Sequence, residues 1–375
     1  MRNWHTKWEN FKMEMPFKQH PFSKRNWGDD LHSLCSFYGK LKPAIAHHLI
    51  ETFTSEHDVI FDCFSGSGTV PFESALLGRR NYGIDINPIS VVLSKAKVLK
   101  QDMEGCQLLM NQLNEYIKIT ELDSKYILKA ESFGFNKTLK EYFHEKTFHE
   151  ILKARLFFQN YPNQDGNYYL VLACLLHILH GNRPYALSRN SHPITPYAPT
   201  GDFIYKPLIS KLHAKVQKSL FCDKNGHFTE GGIFEQDIMK SWHEDIQGID
   251  AIITSPPFFD STRFYMTNWL RSWFLGWEKE DFDKEKVNFI DERQKQGLQI
   301  YKTIFIQAKE RLNPNGIMLL HLGKSNKKDM GASLSHHAKS YFDHIELFQE
   351  NVEELEKHGV SDKGTVSTHQ YLLLY

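Results

Sequence analysis

The sequence contains few cysteines, and they do not form a metal-binding or disulfide pattern. Its 375 residues include five cysteines, with no Cys-x-x-Cys pair and no histidine nearby at zinc-ligand spacing. We therefore expect neither a disulfide framework nor a bound structural metal. Internal repeats and low-complexity tracts are also missing, so the organisation of the chain has to be inferred from periodicity and turn residues.

Long hydrophobic runs are absent as well. No apolar run approaches the roughly 20 residues that a helix needs to cross a bilayer. The first 22 residues are polar, aromatic and basic, which is unlike a secretory signal. These absences predict a cytoplasmic protein without a membrane partner.

An excess of positive charge is missing too, since 45 Lys and Arg residues balance 45 Asp and Glu residues. Zero net charge does not favour a nucleic-acid binder, because phosphate contacts usually require a basic surface. Two stretches, 1–28 and 177–232, nevertheless carry about +4 each. Many of the acids lie in 278–285 and 343–356, where we expect solvated helices or loops. Charge alone favours ordinary surface lysines over a nucleic-acid surface, and leaves the second interpretation open.

The composition is that of a globular protein, with 41% hydrophobic and 24% charged residues. The length predicts one α/β catalytic domain that carries an insertion. Short apolar runs typical of buried parallel strands occur at 58–64, 81–86, 250–254, 316–322 and 370–375. Helical periodicity occurs at 41–53, 71–77, 168–179, 205–220 and 298–312, and several helices are expected within 89–158. The pattern predicts a Rossmann-like, seven-stranded, mostly parallel sheet with helices on both faces and a largely helical insertion.

The first chemical motif is the glycine-rich run Phe61-Asp62-Cys63-Phe64-Ser65-Gly66-Ser67-Gly68-Thr69, which follows a strand and opens a helix. Glycines let the backbone approach a ligand closely, and a helix N-terminus offers free N–H groups to a carboxylate. Asp85 ends the next predicted strand, where an acid can accept hydrogen bonds from a ribose diol. By itself this pattern also fits a nicotinamide or flavin site.

The second motif is Ala251-Ile252-Ile253-Thr254-Ser255-Pro256-Pro257-Phe258-Phe259, a strand that runs directly into a rigid turn. The Ser255 hydroxyl and the Pro256 carbonyl can both accept hydrogen bonds from one NH2 group. Two such acceptors would favour a pyramidal, more nucleophilic nitrogen and stabilise the charge that develops on it. Phe258 would stack on the base that carries the amine. The alternative is a simple turn with core aromatics, which the position after a strand and downstream of the glycine motif disfavours.

Together the two motifs resemble those of the DNA amino-methyltransferases, which pair a Phe-x-Gly-x-Gly-Thr cofactor motif with a Thr-Ser-Pro-Pro-aromatic motif. The resemblance covers 32–97 and 251–276 well and the region between them loosely. It implies a class I methyltransferase fold, S-adenosylmethionine as cofactor, and methyl transfer to an exocyclic amine of a base flipped out of DNA. Serine at position 255 is similar to enzymes that act on cytosine N4 rather than adenine N6. Phe258 replaces a commoner tyrosine but keeps the stacking face.

The resemblance also implies roles for individual residues. The catalytic residues would be Ser255, Pro256, Pro257 and Phe258. The cofactor would contact Tyr38, Asp62, Phe64, Ser65, Gly66, Gly68, Thr69, Asp85, Ile86 and Asp237, with 38–50 similar to a helix that closes the methionine pocket. Asp237 could equally be a plain surface residue. Residues 1–99 and 233–375 would form the catalytic domain, and 100–232 the helical insertion with the target-recognition region.

Nucleic-acid contacts are expected from the loop 181–201, which breaks the helical pattern. Its Arg183, Arg189 and His192 suit phosphate and base contacts, although a rigid packing loop fits the same residues. Arg263, shortly after the catalytic motif, could pair with a phosphate or start a helix. DNA is the expected partner, with a restriction or defence-system protein as a further candidate. The rival interpretations are methylation of a base in RNA and a catalytically silent cofactor-binding subunit.

Overall fold

The computed structural model describes residues 3–24, 26–220, 226–259, 263–351 and 366–375. Within these residues seven strands form one sheet in the order β3-β2-β1-β4-β5-β7-β6. The strands are β1 (Val59–Asp62), β2 (Arg80–Asp85), β3 (Gly231–Glu235), β4 (Ile249–Thr254), β5 (Leu312–Ser325), β6 (Ile345–Asn351) and β7 (Val366–Leu374). All neighbours are parallel except β7, which is antiparallel to β5 and β6. The predicted seven-stranded, mostly parallel sheet is confirmed.

Helices surround the sheet and fill the long segment between β2 and β3. The helices before that segment are α1 (Trp4–Glu14), α2 (Pro43–Phe53), α3 (Thr69–Leu76) and α4 (Pro88–Val98). Those within it are α5 (Met103–Ile119), α6 (Ser124–Ser132), α7 (Leu139–Tyr142), α8 (Glu145–Asn160), α9 (Gly166–Ile178) and α10 (Leu208–Ser219). The later ones are α11 (Phe264–Thr267), α12 (Trp269–Phe274), α13 (Lys279–Glu285), α14 (Ile290–Arg293), α15 (Tyr301–Arg311) and α16 (Met330–Ala338). No helix in the described ranges is both long and apolar enough to cross a bilayer.

Alternating strand residues build two separate cores, one on each face of the sheet. On one face, Ile252, Met318 and Leu320 pack in a cluster with residues of α15 and α16. On the other face, Ala251 and Ile253 pack in a cluster with residues of α1 and α2. This alternation follows from the two-residue side-chain period of a strand, and burial on both faces is typical of a parallel sheet.

The helices α5 to α10 lie within 100–232, where the sequence predicts a helical insertion. Helix α9 is buried almost all round, which is the pattern of a helix at the centre of a bundle. Its residues share one large apolar cluster with residues of α4 and α12. The insertion is therefore packed onto elements that flank both sequence motifs. The division of the chain into two domains stays a prediction.

Strand β3 and helix α1 carry no clear signal in the sequence. Strand β3 begins with Gly231 and Gly232, which are poor strand formers. A Cβ atom at Gly231 would lie 1.8 Å from Oδ1 of Asn81, so glycine lets this side chain of β2 pack directly against the backbone of β3. Helix α1 buries Trp4 and Trp8 although its sequence looks polar.

The expectation of a solvated helix or loop at 343–356 is wrong for its described part, because Ile345–Asn351 forms β6. Glu350 is buried there. Its carboxylate lies 2.6 Å from Nζ of Lys18 and accepts a hydrogen bond from the hydroxyl of Tyr371 at 3.2 Å. An acid that has both a cation and a hydroxyl as partners can be buried in a strand. Residues 352–356 lie outside the described residues.

Candidate active site

The two sequence motifs meet at the carboxyl edge of the sheet. Strands β1 and β4 are neighbours, with Ile60 paired to Ala251 and Phe61 paired to Ile252. The hydroxyl of Thr254, at the end of β4, donates a hydrogen bond of 2.6 Å to Oδ1 of Asp62 at the end of β1. Ligands of open parallel sheets bind at this edge, so the arrangement marks a candidate active site.

The glycine turn follows β1 and leads into α3. Gly66 and Gly68 both have positive φ, 51° and 75°, which favours glycine over residues with a Cβ atom. A Cβ atom at Gly68 would lie 2.8 Å from the backbone of Ser94 on α4, so packing also demands glycine. At Gly66 the nearest atoms to such a Cβ lie 3.8 Å or more away. The turn therefore packs tightly against α4 at Gly68, whereas Gly66 has space beside it.

Two acidic side chains hold the glycine turn. Oδ1 of Asp62 accepts a second hydrogen bond, from the backbone N–H of Phe64 at 3.1 Å. Asp85, at the end of β2, accepts hydrogen bonds from the backbone N–H groups of Gly66 at 2.8 Å and Asn87 at 2.9 Å. Burial raises the pKa of Asp62 to about 7 and the pKa of Asp85 to about 6. Strongly perturbed carboxyls in a cleft are typical of ligand sites.

Neither of these carboxyls has a cationic partner among the described residues. Oδ2 of Asp62 also accepts no hydrogen bond from any residue in that part of the chain. A bound positive charge would relieve the cost of ionising both groups, because an opposite charge nearby favours the carboxylate form. The edge of the sheet therefore fits a ligand that carries positive charge and hydrogen-bond donors.

The other residues predicted to contact a cofactor lie in this turn, directly after β2 or before α2. Ser65 and Thr69 are buried within it, and Phe64 is half-buried. Ile86 directly follows Asp85 and is half-buried against the large helical cluster. Tyr38 is also half-buried, and its ring centroid lies 6.1 Å from that of Phe264 on α11. Tyr38 thus contacts the helix that follows the catalytic motif, and its contact with a cofactor stays a prediction.

Asp237, which follows β3, is paired with an arginine. Both of its carboxylate oxygens accept hydrogen bonds from the guanidinium group of Arg293, at 3.0 and 2.8 Å. The backbone N–H of Met239 donates a further bond of 3.0 Å to Oδ1. Glu235, two residues earlier, is exposed and lies in register with Asp85. The chain from Glu235 to Asp237 therefore runs past the end of β2, where the backbone N–H of Gln236 donates to the carbonyl of Asp85 at 3.0 Å. A cofactor contact of Asp237 stays a prediction.

The Ser-Pro-Pro-Phe segment is held in place by Gln294. Its side-chain amide donates hydrogen bonds to the carbonyls of Pro257 and Phe258, each at 3.2 Å. The carbonyl of Pro256 accepts no hydrogen bond from any described residue, so its lone pairs are available to a ligand. Gln294 comes from the segment before α15, which no sequence motif distinguishes.

The ring of Phe258 is fitted against the backbone of β5. A Cβ atom at Gly323 would lie 2.5 Å from this ring, so only glycine leaves room for it. The φ angle of Gly323 is not positive, and its glycine is therefore required by packing and not by backbone conformation. The glycine has no recognisable motif around it in the sequence.

Ser255 contacts a histidine that sequence reasoning missed. Its Oγ lies 3.0 Å from Nδ1 of His321 on β5. His321 is buried, and burial lowers its pKa well below the usual value, so the imidazole is neutral. The sequence predicts no catalytic role for a histidine, because histidines in helical or apolar settings are more often structural.

A buried arginine on α12 joins three segments around the site. The guanidinium group of Arg271 donates hydrogen bonds to the carbonyl of Ser36 at 2.8 Å and to that of Leu176 at 2.9 Å. It also donates to the carbonyl of Pro193 at 3.0 Å and to Oδ1 of Asn268 at 2.6 Å. The segment before α2, the end of α9 and the loop 181–201 are thus held together beside the catalytic segment.

The predicted nucleic-acid residues have different surroundings. Arg189 donates hydrogen bonds to the carbonyls of Glu141 and Gly201, at 2.9 and 2.7 Å, so its guanidinium group holds the loop. Nδ1 of the exposed His192 accepts weak hydrogen bonds from backbone N–H groups within the same loop. Arg183 and Arg263 are exposed, and Arg263 precedes α11 as its N-cap. The neighbouring Ser261 and Thr262 lie outside the described residues.

Comparison with known proteins gives a match for the segment that carries the glycine turn. Residues 20–95 match a family model described as DNA methylase. The chain is 26% identical over 112 residues to the type II methyltransferase M.MjaII of Methanocaldococcus jannaschii. That stretch covers 29% of this chain and 21% of the relative, so the chain matches about a fifth of the relative's length.

Solved structures give weaker matches. The rRNA methyltransferase aviRa from Streptomyces viridochromogenes has 11% identity, with 95% of each chain covered and a TM-score of 0.37. The glycopeptide N-methyltransferase MtfA, solved with S-adenosylmethionine, has 7% identity, with 91% of this chain and 96% of that chain covered and a TM-score of 0.33. Similarity at this level does not by itself establish a common fold.

The strand order, the glycine turn and the family match together define the class of protein. The chain has the class I fold of S-adenosylmethionine-dependent methyltransferases. Within that class it resembles the DNA amino-methyltransferases, and its cofactor is S-adenosylmethionine. The resemblance stated from the two motifs is confirmed.

Proposed function

We propose that this protein transfers the methyl group of S-adenosylmethionine to an exocyclic amino group of a base in DNA. One observation carries the proposal: the Ser255-Pro256-Pro257-Phe258 segment lies directly beside the glycine turn, joined to it by the hydrogen bond between Thr254 and Asp62. A methyl donor at the turn and an amine at the segment would therefore be neighbours. Positioning of this kind supplies much of the acceleration in a transfer whose leaving group is already activated.

Each group at the edge of the sheet then has a role. Oδ2 of Asp62 would accept a hydrogen bond from the ammonium group of the cofactor, and Asp85 would accept from its ribose. Ser255 and the unoccupied carbonyl of Pro256 accept the two N–H bonds of the target amine. Phe258 stacks on the flipped base. The cofactor supplies an electrophilic methyl group, and the protein orients the amine towards it.

Cytosine N4 is the favoured target over adenine N6. Ser255 offers a neutral hydroxyl to the amine. An aspartate or asparagine at this position would instead resemble the enzymes that methylate adenine. Both rings carry an NH2 group that the same two acceptors could hold, so the preference rests on the resemblance and on the residue type. Action on DNA is consistent with a cytoplasmic location, and a restriction or defence-system protein remains the proposed partner class.

Cofactor binding is expected to release protons at mildly acidic pH. The pKa of Asp62 is about 7 and that of Asp85 about 6, both raised by burial, so part of each population is protonated at pH 6. The ammonium group at Asp62 and the ribose hydroxyls at Asp85 would favour the carboxylate forms, lower both pKa values and expel these protons. The affinity for S-adenosylmethionine should therefore rise as the pH increases from about 5 to 8.

Calorimetry at pH 6 in buffers of different ionisation enthalpy measures this proton release. Asp62→Asn should reduce both the release and the affinity, whereas the exposed Asp202→Asn should change neither. Binding that is independent of pH over this range, with no proton release, would contradict the role of the two carboxyls.

Gly323→Ala is expected to impair the reaction by displacing Phe258. The added Cβ atom would overlap the ring, which would have to leave its position against β5. We expect kcat to fall about tenfold or more while the affinity for cofactor stays unchanged, because the glycine turn is not touched. In a Phe258→Ala background the same substitution should have little further effect, which a double-mutant cycle measures. Additive losses would instead show that Gly323 acts independently of the ring.

The function is tested by single-molecule sequencing of DNA from cells that express the chain. The matched control is the same chain with Ser255→Ala and Pro256→Ala. We expect N4-methylcytosine in a defined sequence context, present with the natural chain and absent with the control. N6-methyladenine in such a context would keep the DNA activity and overturn the preference for cytosine.

Absence of both marks, despite measured cofactor binding, would overturn the DNA proposal. The same cells then distinguish the two alternatives, because mass spectrometry of RNA nucleosides detects a methylated base if RNA is the substrate. No mark in either nucleic acid would indicate a cofactor-binding subunit without catalysis.

A further inference from the structure

His321 is the one imidazole in the described part of the chain that contacts the catalytic segment by a hydrogen bond. Its Nδ1 and Oγ of Ser255 lie 3.0 Å apart, a normal hydrogen-bond distance. The contact has two forms. Either the serine hydroxyl donates to Nδ1, or a protonated Nδ1 donates to Oγ. The first form leaves the Oγ lone pairs free to accept a hydrogen bond from a ligand, and the second leaves the hydroxyl hydrogen free to donate one.

The surroundings of the ring favour the first form. Nε2 of His321 is buried without a hydrogen-bond partner among the described residues. The ring stands at 83° to that of His369, 4.7 Å away, and at 56° to that of Tyr371, 5.2 Å away. An N–H group gains weak attraction from aromatic faces, whereas a lone pair gains none. A proton is therefore better placed on Nε2, which leaves Nδ1 as the acceptor.

The remaining charged groups near the ring do not reverse this preference. The Tyr371 hydroxyl donates to Glu350, and Glu350 is paired with Lys18. The pKa of His369 is itself lowered by burial, so this neighbour adds no positive charge at neutral pH. No carboxylate in the described ranges contacts His321 directly. The imidazole thus stays neutral and keeps a lone pair.

We propose that His321 is a positioning residue whose Nδ1 accepts a hydrogen bond from the Ser255 hydroxyl and so leaves both Oγ lone pairs available to the target amine. The proposal rests on the proposed function, since it assigns Ser255 the amine. An unrestrained hydroxyl could rotate its hydrogen towards the amine nitrogen and compete for the lone pair that attacks the methyl group. Polarisation by the imidazole also makes Oγ a stronger acceptor. His321 thereby gives serine part of the acceptor strength of a carboxylate.

The hydrogen bond itself can be tested without any substrate. Nitrogen NMR of 15N-histidine-labelled protein distinguishes a protonated from an unprotonated ring nitrogen, and His321→Asn identifies the signals of this residue. We expect Nε2 protonated and Nδ1 unprotonated at neutral pH, with the Nδ1 signal shifted by Ser255→Ala. A proton on Nδ1, or no response to Ser255→Ala, would overturn the proposal.

Kinetics of matched variants test the consequence. Asparagine places its amide oxygen close to the position of Nδ1, whereas glutamine reaches the position of Nε2. We expect His321→Gln to lower kcat about 10–100-fold, with KM for DNA and cofactor affinity within about twofold. His321→Asn should recover most of the loss. Equal losses in both variants, or weakened cofactor binding, would indicate a merely structural role and overturn the proposal.

These outcomes separate the proposal from the proposed function. If the natural chain methylates no DNA, the function fails, and the NMR experiment still decides whether His321 holds the Ser255 hydroxyl. If the natural chain methylates DNA and the glutamine variant is fully active, the function stands and the role of His321 fails.

Discussion

Ser255→Ala is expected to lower kcat by about 100–1000-fold, the effect typical of removing one group that stabilises developing charge. The substitution deletes one of the two acceptors that orient the target amine, and the Pro256 carbonyl cannot hold both N–H bonds in the required geometry. Affinity for S-adenosylmethionine should stay unchanged, since Ser255 contacts His321 and not the glycine turn. Single-turnover methylation of DNA measures the loss.

The matched control is Ser241→Ala, which changes an exposed serine after β3. It should leave both the rate and the cofactor affinity as they are. If Ser255→Ala retains the natural rate, the hydroxyl is not an acceptor for the amine, and the assigned chemistry is wrong.

Arg271→Met is expected to reduce the free energy of unfolding by about 3–5 kcal/mol, because several buried oxygens lose their donor at once and each costs about 1–3 kcal/mol when left unpaired. Methionine fills much of the same volume, so the loss reports the hydrogen bonds more than a cavity. The three segments joined by Arg271 include the loop 181–201, which should then open locally. Chemical denaturation measures the stability, and hydrogen exchange measures the loop.

Arg183→Met is the control for this experiment, since Arg183 is exposed in the same loop. Its effect on stability should lie within about 0.5 kcal/mol, as is usual for a surface substitution. It should instead weaken DNA binding and reduce the salt dependence of that binding. Equal stability of the two variants would contradict the role assigned to Arg271.

The sequence predicts the part of the fold that depends on local patterns. The strands β1, β2 and β4 are apolar runs that end at turn residues, and the structure has them within one or two residues of the expected bounds. Strand β3 is hidden because its glycines pack closely against Asn81 and Tyr82 of β2, which are remote in sequence. Strand β6 is hidden because its acid Glu350 is neutralised by Lys18, more than three hundred residues earlier.

In the candidate site, too, the sequence predicts the residues of local motifs and not the residues that contact them from elsewhere in the fold. Its motifs are continuous in sequence, so the sequence alone brings Asp62, Asp85 and Ser255 to one edge of the sheet. The groups that hold them, such as His321, Gln294 and Arg271, come from elements without a motif and act through contacts across the fold. The pairing of Asp237 with Arg293 could not be predicted either, because the two residues are 56 positions apart in the sequence.

The central claim is tested most directly with purified protein, duplex DNA and S-adenosylmethionine that carries a deuterated methyl group. Mass spectrometry of the digested DNA then identifies which nucleoside receives the label. We expect deuterated N4-methyldeoxycytidine with the natural chain and none with Ser255→Ala. Absence of any labelled nucleoside from DNA, with cofactor binding intact, would contradict the claim that this edge of the sheet methylates a base amine in DNA.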